Sequence, residues 1–422
     1  MNRDYQILLF LTIFASLVTS IWGVTGNAIA LGLGFWLIST KNIKYIPLLI
    51  IITSFLSTSY VLYIYMLFVT IRSYNNLSIK GLGRLFFVFS LMVITVLFFA
   101  FVKLQTTDVN IGTSLKDYIF ILALSPFFFG AAIFTKKADY DVDWDRIFES
   151  LIIIGILNVL IPFINPSFVQ SRLVFLIIPF LFTYIFINFF DLSQIKKVLS
   201  SGLLLLYYLG SGGTTFTLVF SAFISIVIIR GKFKSAIIPF LLFLVVFYVP
   251  IYAINYSETL DFTEFTDLGM SDIKTLDDFN GRLGMKLIED RGPIWTSAWD
   301  YLKENFSILP PIDKYKLFIK SKMHSETEWE FHSHNLVLES FLNLGLILGF
   351  LVLIYFFYIN FNSIKGFNDK SLKPIAKLFI IVSVVSNIVG SMSGIFPLLT
   401  DYSFLPFFIM GAYYYNKKDL IL

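Results

Sequence analysis

The chain consists mostly of long apolar runs separated by short polar segments. A helix needs about 20 apolar residues to cross roughly 30 Å of hydrocarbon, and most of these runs come close to that length. The alternation of polar and apolar residues that is typical of barrel strands does not occur. The predicted spans lie near residues 7–22, 24–40, 85–102, 118–134, 147–164, 173–190, 198–211, 213–229, 235–254, 335–358, 375–392 and 396–415.

Between Lys44 and Arg72 lies a further apolar stretch, which is too long for one ordinary span and too short for two full ones. A tight hairpin of two short helices fits it best, because both positively charged ends then lie on the same side. One steeply tilted helix is the alternative. The sequence therefore predicts an all-α fold, a polytopic transmembrane helix bundle of about 12 to 14 spans.

One polar segment is far larger than the others. It covers residues 255–334 and divides the chain into N-terminal transmembrane helices (1–254), the large polar segment itself (255–334) and C-terminal transmembrane helices (335–422). A connector of this length without structure is unusual, so we expect it to contain short helices. Residues 293–306, PIWTSAWDYLKENF, begin with proline and carry apolar residues at helical spacing, which predicts an interfacial amphipathic helix.

Composition and charge predict that the protein lies in a membrane and which way its helices are oriented. The chain is 57% hydrophobic and 14% charged, with a mean hydropathy of +0.79. By the predicted topology, 20 of the 32 lysines and arginines fall on one face, which the positive-inside rule makes cytoplasmic. Both termini then lie in the cytoplasm and the large polar segment lies outside. The first apolar run is interpreted as a retained helix, and the absence of cysteine excludes disulfides and thiolate metal sites.

The candidate chemistry starts with the histidines, all three of which lie in the large polar segment. His334 stands at its junction with the next span, followed by Asn335 and, five residues on, by Glu339. The positive end of a helix dipole there favours the neutral imidazole that a general base requires. Glu339 is predicted either to orient the histidine or to bind acceptor hydroxyls. The alternative is a histidine that only solvates the helix end.

Arginines on the same predicted face supply a second kind of candidate. Arg291 precedes Trp295 by four residues and would share a helix face with it, whereas Arg172 stands at the outer end of a span. Arg282 is a weaker candidate of the same kind. Guanidinium groups suit forked recognition of phosphate, so these residues predict a diphosphate-binding site. The alternatives are an ordinary loop charge for Arg291 and a lipid-anchoring side chain for Arg172.

Two other classes of function are less well supported. The acidic residues of the large polar segment do not form a recognisable binding loop, and His332 and His334 would not share a helix face, so no metal site is predicted. A flippase or other transporter would be expected to place charges in the middle of its spans, which here carry almost none. The pattern favours an enzyme acting at the outer surface.

These residues resemble a known family, the Wzy-type O-antigen polymerases and the related O-antigen ligases of bacteria. The resemblance is carried by the R-x-x-x-W element at Arg291 and Trp295, and by His334 followed by Asn335, Leu338 and Gly345. It implies a GT-C-like bundle in the inner membrane that performs metal-independent, inverting glycosyl transfer without a cofactor in lipopolysaccharide biosynthesis.

The resemblance also implies roles and partners. His334 would be the general base that activates the acceptor sugar hydroxyl, and Arg291, Arg172 and Arg282 would hold the diphosphate. Donor and acceptor would be oligosaccharides linked to undecaprenyl diphosphate, handled at the periplasmic face, with membrane lipid and a chain-length regulator protein as further partners and no nucleic acid. Polymerase is the first interpretation, ligase the second, and lipid-linked oligosaccharide flippase the third.

Overall fold

The structure is a computed structural model, and part of the chain is described in it. The described residues are 83–106, 292–311, 317–319, 327–329, 333, 335–365 and 374–393, together with 193–199, 201–202, runs of one to three residues between 6 and 36, and residues 125, 127–128, 183–184, 225, 407 and 410–411. Within them run the helices α1 (Gly83–Thr106), α2 (Gly292–Glu304), α3 (Leu336–Lys365) and α4 (Pro374–Ser393). The strands β1 (Leu317–Ile319) and β2 (Thr327–Trp329) lie between α2 and α3.

Helix α1 has the character of a membrane span. Its 24 residues include a stretch, Phe86–Thr106, that is long and apolar enough to cross a bilayer. Large apolar side chains remain exposed along most of its length. A helix that is apolar on its outward face as well as its inward face needs hydrocarbon rather than water around it. The span predicted at residues 85–102 is therefore confirmed as a helix suited to a membrane.

Helix α2 and the two strands belong to the large polar segment. Proline at the second position of α2 is favourable there because its missing N–H would have no partner in the first turn. β1 and β2 pair antiparallel, with Leu317 opposite Trp329, and β1 packs against α2. The expected short helix at residues 293–306 is confirmed, whereas this small hairpin was not predicted and departs from an all-α fold.

Helix α3 is broken at Gly345, where φ is 68° and ψ is −175°. That conformation is essentially restricted to glycine, because a Cβ would clash with the backbone. The segment after the break has 20 residues and is about 30 Å long, which matches the hydrocarbon thickness. The span predicted at residues 335–358 is thus two helical pieces, of which the second alone is long enough to cross.

The first piece of α3 folds back against the second. A Cβ on Gly349 would lie 2.7 Å from the carbonyl oxygen of Ser340. In a straight helix, residues nine positions apart are separated by about 13.5 Å along the axis. The contact therefore requires a sharp reversal at Gly345.

The remaining predicted spans are described only in part. Helix α4 packs against α3 and agrees with the span predicted at 375–392. Described residues between 6 and 36 and between 194 and 202 are helical, consistent with the spans that begin near residues 7, 24 and 198. The 44–72 hairpin lies outside the described residues, as does most of the 118–190 and 213–254 regions. The total number of spans and the GT-C-like class stay predictions.

Candidate functional site

The residues predicted to carry the site fall into two groups. His334, Arg291, Arg172 and Arg282 lie outside the described residues. The supporting residues Trp295, Asn335 and Glu339 are described, and all three are buried. They come together where α2 meets the start of α3.

Asn335 is the N-cap of α3. Its Oδ1 accepts hydrogen bonds from the backbone N–H groups of Val337 at 2.9 Å and Leu338 at 3.2 Å. Two of the four N–H groups that a helix start leaves without partners are thereby satisfied. An N-cap interaction of this kind is worth about 1 kcal/mol, and it explains why an asparagine suits the position after His334.

Glu339 places a carboxylate at the centre of the cluster, fully shielded from solvent. Its Oε2 accepts hydrogen bonds from the backbone N–H of Ser333 at 2.7 Å and from the Ser333 hydroxyl at 2.8 Å. Its Oε1 accepts one from Nδ2 of Asn343 at 2.9 Å. A buried carboxylate is tolerated only when donors replace its lost hydration, and these three do so.

Ser333 is also bound from two other directions. Its carbonyl oxygen accepts a hydrogen bond from Nε1 of Trp295 at 3.0 Å, which joins α2 to the residue that precedes His334. Its Oγ lies 3.4 Å from the backbone nitrogen of Asn335, which donates to it. Backbone and side chain of Ser333 are therefore both held, from α2 on one side and α3 on the other.

Apolar packing supports these hydrogen bonds. Ile294, Trp295 and Ala298 on α2 form a buried cluster with two leucines of α3, and Tyr301 and Leu302 cover its edge. The leucines are Leu338 and Leu342, one turn apart on the same face. Helix α2 is amphipathic as predicted, but its apolar face covers the beginning of α3 and does not merely lie in the membrane interface.

The arrangement fixes the chain on both sides of His334. Ser333 before it and Asn335 after it are each buried and hydrogen-bonded. In the sequence, Arg291 comes directly before the first residue of α2 and four residues before Trp295, which is bonded to Ser333. Trp295 of the R-x-x-x-W element thus connects the first turn of α2 to Ser333, the residue before His334.

Sequence analysis missed two members of this cluster. Asn343 lies four residues after Glu339, so the i, i+4 rule for helix faces would have found it. No local rule points to Ser333, because its partners Trp295 and Glu339 come from different elements. Among the described residues, no group of three or more acidic or histidine side chains is arranged to hold a metal ion.

The comparisons with known proteins bear on this same region. Residues 197–354 match the model of the O-antigen ligase family, a range that contains α2, the hairpin and the kinked first part of α3. No curated protein and no solved structure matches the chain. The resemblance predicted from the sequence is therefore confirmed over residues 197–354, which are similar to the O-antigen ligase family.

Proposed function

We propose that this protein is an O-antigen polymerase, which joins oligosaccharide repeat units carried on undecaprenyl diphosphate. The observation that carries the proposal is the buried cluster that fixes Ser333 and Asn335 on either side of His334, inside the segment matched by the family model. Members of this family are glycosyltransferase-like enzymes of membranes. The reaction would take place at the periplasmic face of the inner membrane.

His334 is the proposed general base. It directly precedes the N-cap residue Asn335 in the sequence, and the positive end of the α3 dipole disfavours a positive charge on an imidazole there. A neutral imidazole can accept the proton of the acceptor sugar hydroxyl as that oxygen attacks the anomeric carbon. Precise placement matters, because misplacing a catalytic group by about 1 Å can cost a factor of 10² in rate.

The arginines are proposed to hold the donor diphosphate. As the new C–O bond forms, the bond from the anomeric carbon to the diphosphate breaks, and the electron pair leaves with the diphosphate. A single displacement of this kind inverts the anomeric configuration. Fixed guanidinium groups stabilise the developing negative charge. Arg291 is the best supported, because it directly precedes in sequence the helix α2 whose Trp295 is bonded to Ser333; Arg172 and Arg282 rest on sequence position alone.

Glu339, Asn335 and Trp295 are proposed as positioning residues. None of them needs to touch substrate: Asn335 caps α3, Trp295 holds the carbonyl of Ser333, and Glu339 holds its N–H and hydroxyl. The charge on Glu339 is satisfied within the protein by these donors and by Asn343, which supports a structural task over one in a transport path. A flippase is therefore the weakest of the three candidates.

The second candidate is an O-antigen ligase, which transfers the finished glycan to the lipid A core. The description of the matched family favours it. The same base and the same diphosphate-binding groups would serve both reactions, which differ in the acceptor.

The base assignment is tested by His334→Ala, with His324→Ala as the matched control. We expect His334→Ala to abolish long O-antigen chains, since loss of a general base costs about 10²- to 10⁴-fold in rate. Glycan length is measured on lipopolysaccharide gels, and membrane abundance of each variant by immunoblot. His324→Ala makes the same chemical change elsewhere in the large polar segment and should leave the banding unchanged. Long chains at the normal rate in His334→Ala would refute the proposal.

A further inference from the structure

An open groove of about 420 Å³ lies beside the site cluster, where α2, the segment after it and the break in α3 meet. Most of its lining is apolar: Trp299, Leu302, Phe306, Phe341 and Leu346. Its volume falls in the range of sites that hold small molecules. Water filling such a groove would hydrate apolar surface at a cost in free energy, so an apolar occupant is favoured.

The position of the groove relative to α3 indicates what fills it. Leu346 opens the 20-residue part of α3 that is long enough to cross a bilayer. An exposed stripe continues after Leu346 along one face of the helix; it consists of Ile347, Phe350, Ile354 and Tyr358. This stripe faces hydrocarbon if α3 spans the membrane. The groove is its upper end, so a lipid chain lying along the stripe reaches directly into it.

Of the described residues that line the groove, Lys303 is the basic one. Nζ of Lys303 lies 5.8 Å from the centre of the Trp299 ring, within the distance of a cation–π interaction. It also pairs with Asp300 at 2.8 Å, but both side chains are more than half exposed, and such pairs are worth little. Asp300 does not line the groove. Lysine and tryptophan together are typical of the headgroup level of a membrane.

We propose that this groove binds one glycerophospholipid, with an acyl chain between α2 and α3 and the phosphate against Lys303. The bound lipid would occupy the groove lined by Trp299, Phe306 and Leu346. This inference concerns the membrane around the protein and does not depend on the transferase reaction.

The experiment uses the full-length protein in vesicles of dioleoylphosphatidylcholine, in which phosphatidylglycerol with brominated chains replaces an increasing share of the lipid. Bromine quenches tryptophan on contact, and the phosphate of phosphatidylglycerol has no choline to offset its charge. The Trp299 signal is the difference between the parent protein and Trp299→Phe. Trp36→Phe gives the matched reference, because Trp36 is 39% exposed and Trp299 47%.

We expect Trp299 to reach half-maximal quenching at about a fivefold lower mole fraction than Trp36, as one lysine near an anionic lipid produces. Lys303→Gln should remove the difference, whereas Glu304→Gln, on the adjacent residue, should keep it. Phe306→Ser should weaken the quenching of Trp299. Phe98→Ser should not, because Phe98 lies on α1 and does not line the groove, although it is exposed to a similar extent, 60% against 62%.

Three outcomes would overturn the proposal. Equal quenching of Trp299 and Trp36 would mean that the groove meets only ordinary boundary lipid. Displacement of the brominated lipid by a small fraction of undecaprenyl phosphate would assign the groove to the carrier lipid. Loss of Trp299 quenching as the protein density in the vesicles rises would assign it to a second copy of the chain.

Discussion

At the scale of single residues, the cluster shows how a charged group is kept inside an apolar region. Both oxygens of Glu339 accept hydrogen bonds, Oε2 from Ser333 and Oε1 from Asn343. Hydrogen bonds to a charged acceptor contribute about 1.5 to 3 kcal/mol, and a buried donor left without a partner costs about 1 to 3 kcal/mol. The carboxylate therefore stabilises the position of Ser333 strongly.

This geometry separates two substitutions of Glu339. Glu339→Ala leaves the N–H and the hydroxyl of Ser333 without their acceptor, so we expect a loss of about 2 to 4 kcal/mol in stability and of most activity. Glu339→Gln keeps one carbonyl oxygen for Ser333, and its amide can donate to Asn343 if the Asn343 amide turns over.

The measurement compares kcat and KM of the two variants with their thermal stability in detergent. A positioning role predicts that glutamine restores most of kcat with little change in KM. If Glu339→Gln is as inactive as Glu339→Ala while remaining folded, the carboxylate itself takes part in the chemistry and the positioning role is wrong.

The sequence predicted those residues of the cluster that a local sequence pattern identifies. Asn335 and Glu339 were found because both lie within a turn of the predicted helix start. Ser333 was not, because its importance comes from Trp295, 38 residues earlier in the chain. Placing His334 itself needs the same kind of distant contact, so its assignment as the base stays a prediction.

At the scale of elements, the break in α3 joins the large polar segment to the membrane helix. The N–H groups of Leu346 and Ile347, which lose their helical partners at the break, donate to the carbonyls of Ser307 at 2.9 Å and Ile308 at 3.2 Å. Ser307 and Ile308, in the segment after α2, are thus bound at the break in α3 by two backbone hydrogen bonds. Two of the N–H groups freed by the break are thereby satisfied.

Gly345→Ala tests whether the contact between the segment 307–309 and the break in α3 is required. The new Cβ would lie 2.4 Å from the carbonyl oxygen and 2.6 Å from the carbonyl carbon of Leu309, and the backbone conformation is itself unfavourable by about 1 to 3 kcal/mol. We expect a clear fall in the melting temperature in detergent and loss of activity.

Two other glycines provide controls. A Cβ at Gly32 or Gly202 meets nothing within 4 Å, and both residues are helical and exposed. Alanine at either position should be neutral or slightly stabilising, because it lowers the entropy of the unfolded chain. A Gly345→Ala protein as stable as these controls would show that the contact between the segment 307–309 and the break in α3 is not required.

The sequence predicted the span at residues 335–358 but not the break at Gly345. A glycine within an apolar run is equally compatible with a continuous helix that packs against a neighbour. What decides between them is the segment 307–309, which arrives from another part of the chain. The hairpin was missed for a related reason, because three-residue strands carry too little pattern to be recognised.

At the scale of the whole molecule, the described parts of the large polar segment and the last helices form one connected unit. β1 packs on α2, α2 on α3, and α3 on α4. This unit overlaps the range matched by the O-antigen ligase family. The family was predictable from the sequence because its signals, the R-x-x-x-W element and the histidine before a capped helix, are short and local.

The proposed polymerase and ligase functions give different phenotypes in a deletion strain. A polymerase deletion should leave the core carrying a single repeat unit, since ligation still proceeds. A ligase deletion should leave core without any O-antigen. We expect the single-repeat pattern on lipopolysaccharide gels, restored to a full ladder by the parent gene and not by the His334→Ala variant. Core without O-antigen would overturn the polymerase assignment in favour of the ligase.

The attachment of α2 at both of its ends has a mechanical consequence. One end is tied through Trp295 to the residue beside His334, and the segment after the other is wedged at Gly345. Helix α2 is therefore attached, directly or through the segment that follows it, at two points next to α3. Any displacement of α2 would therefore act on the break in α3 at Gly345 as well as on the residue beside His334.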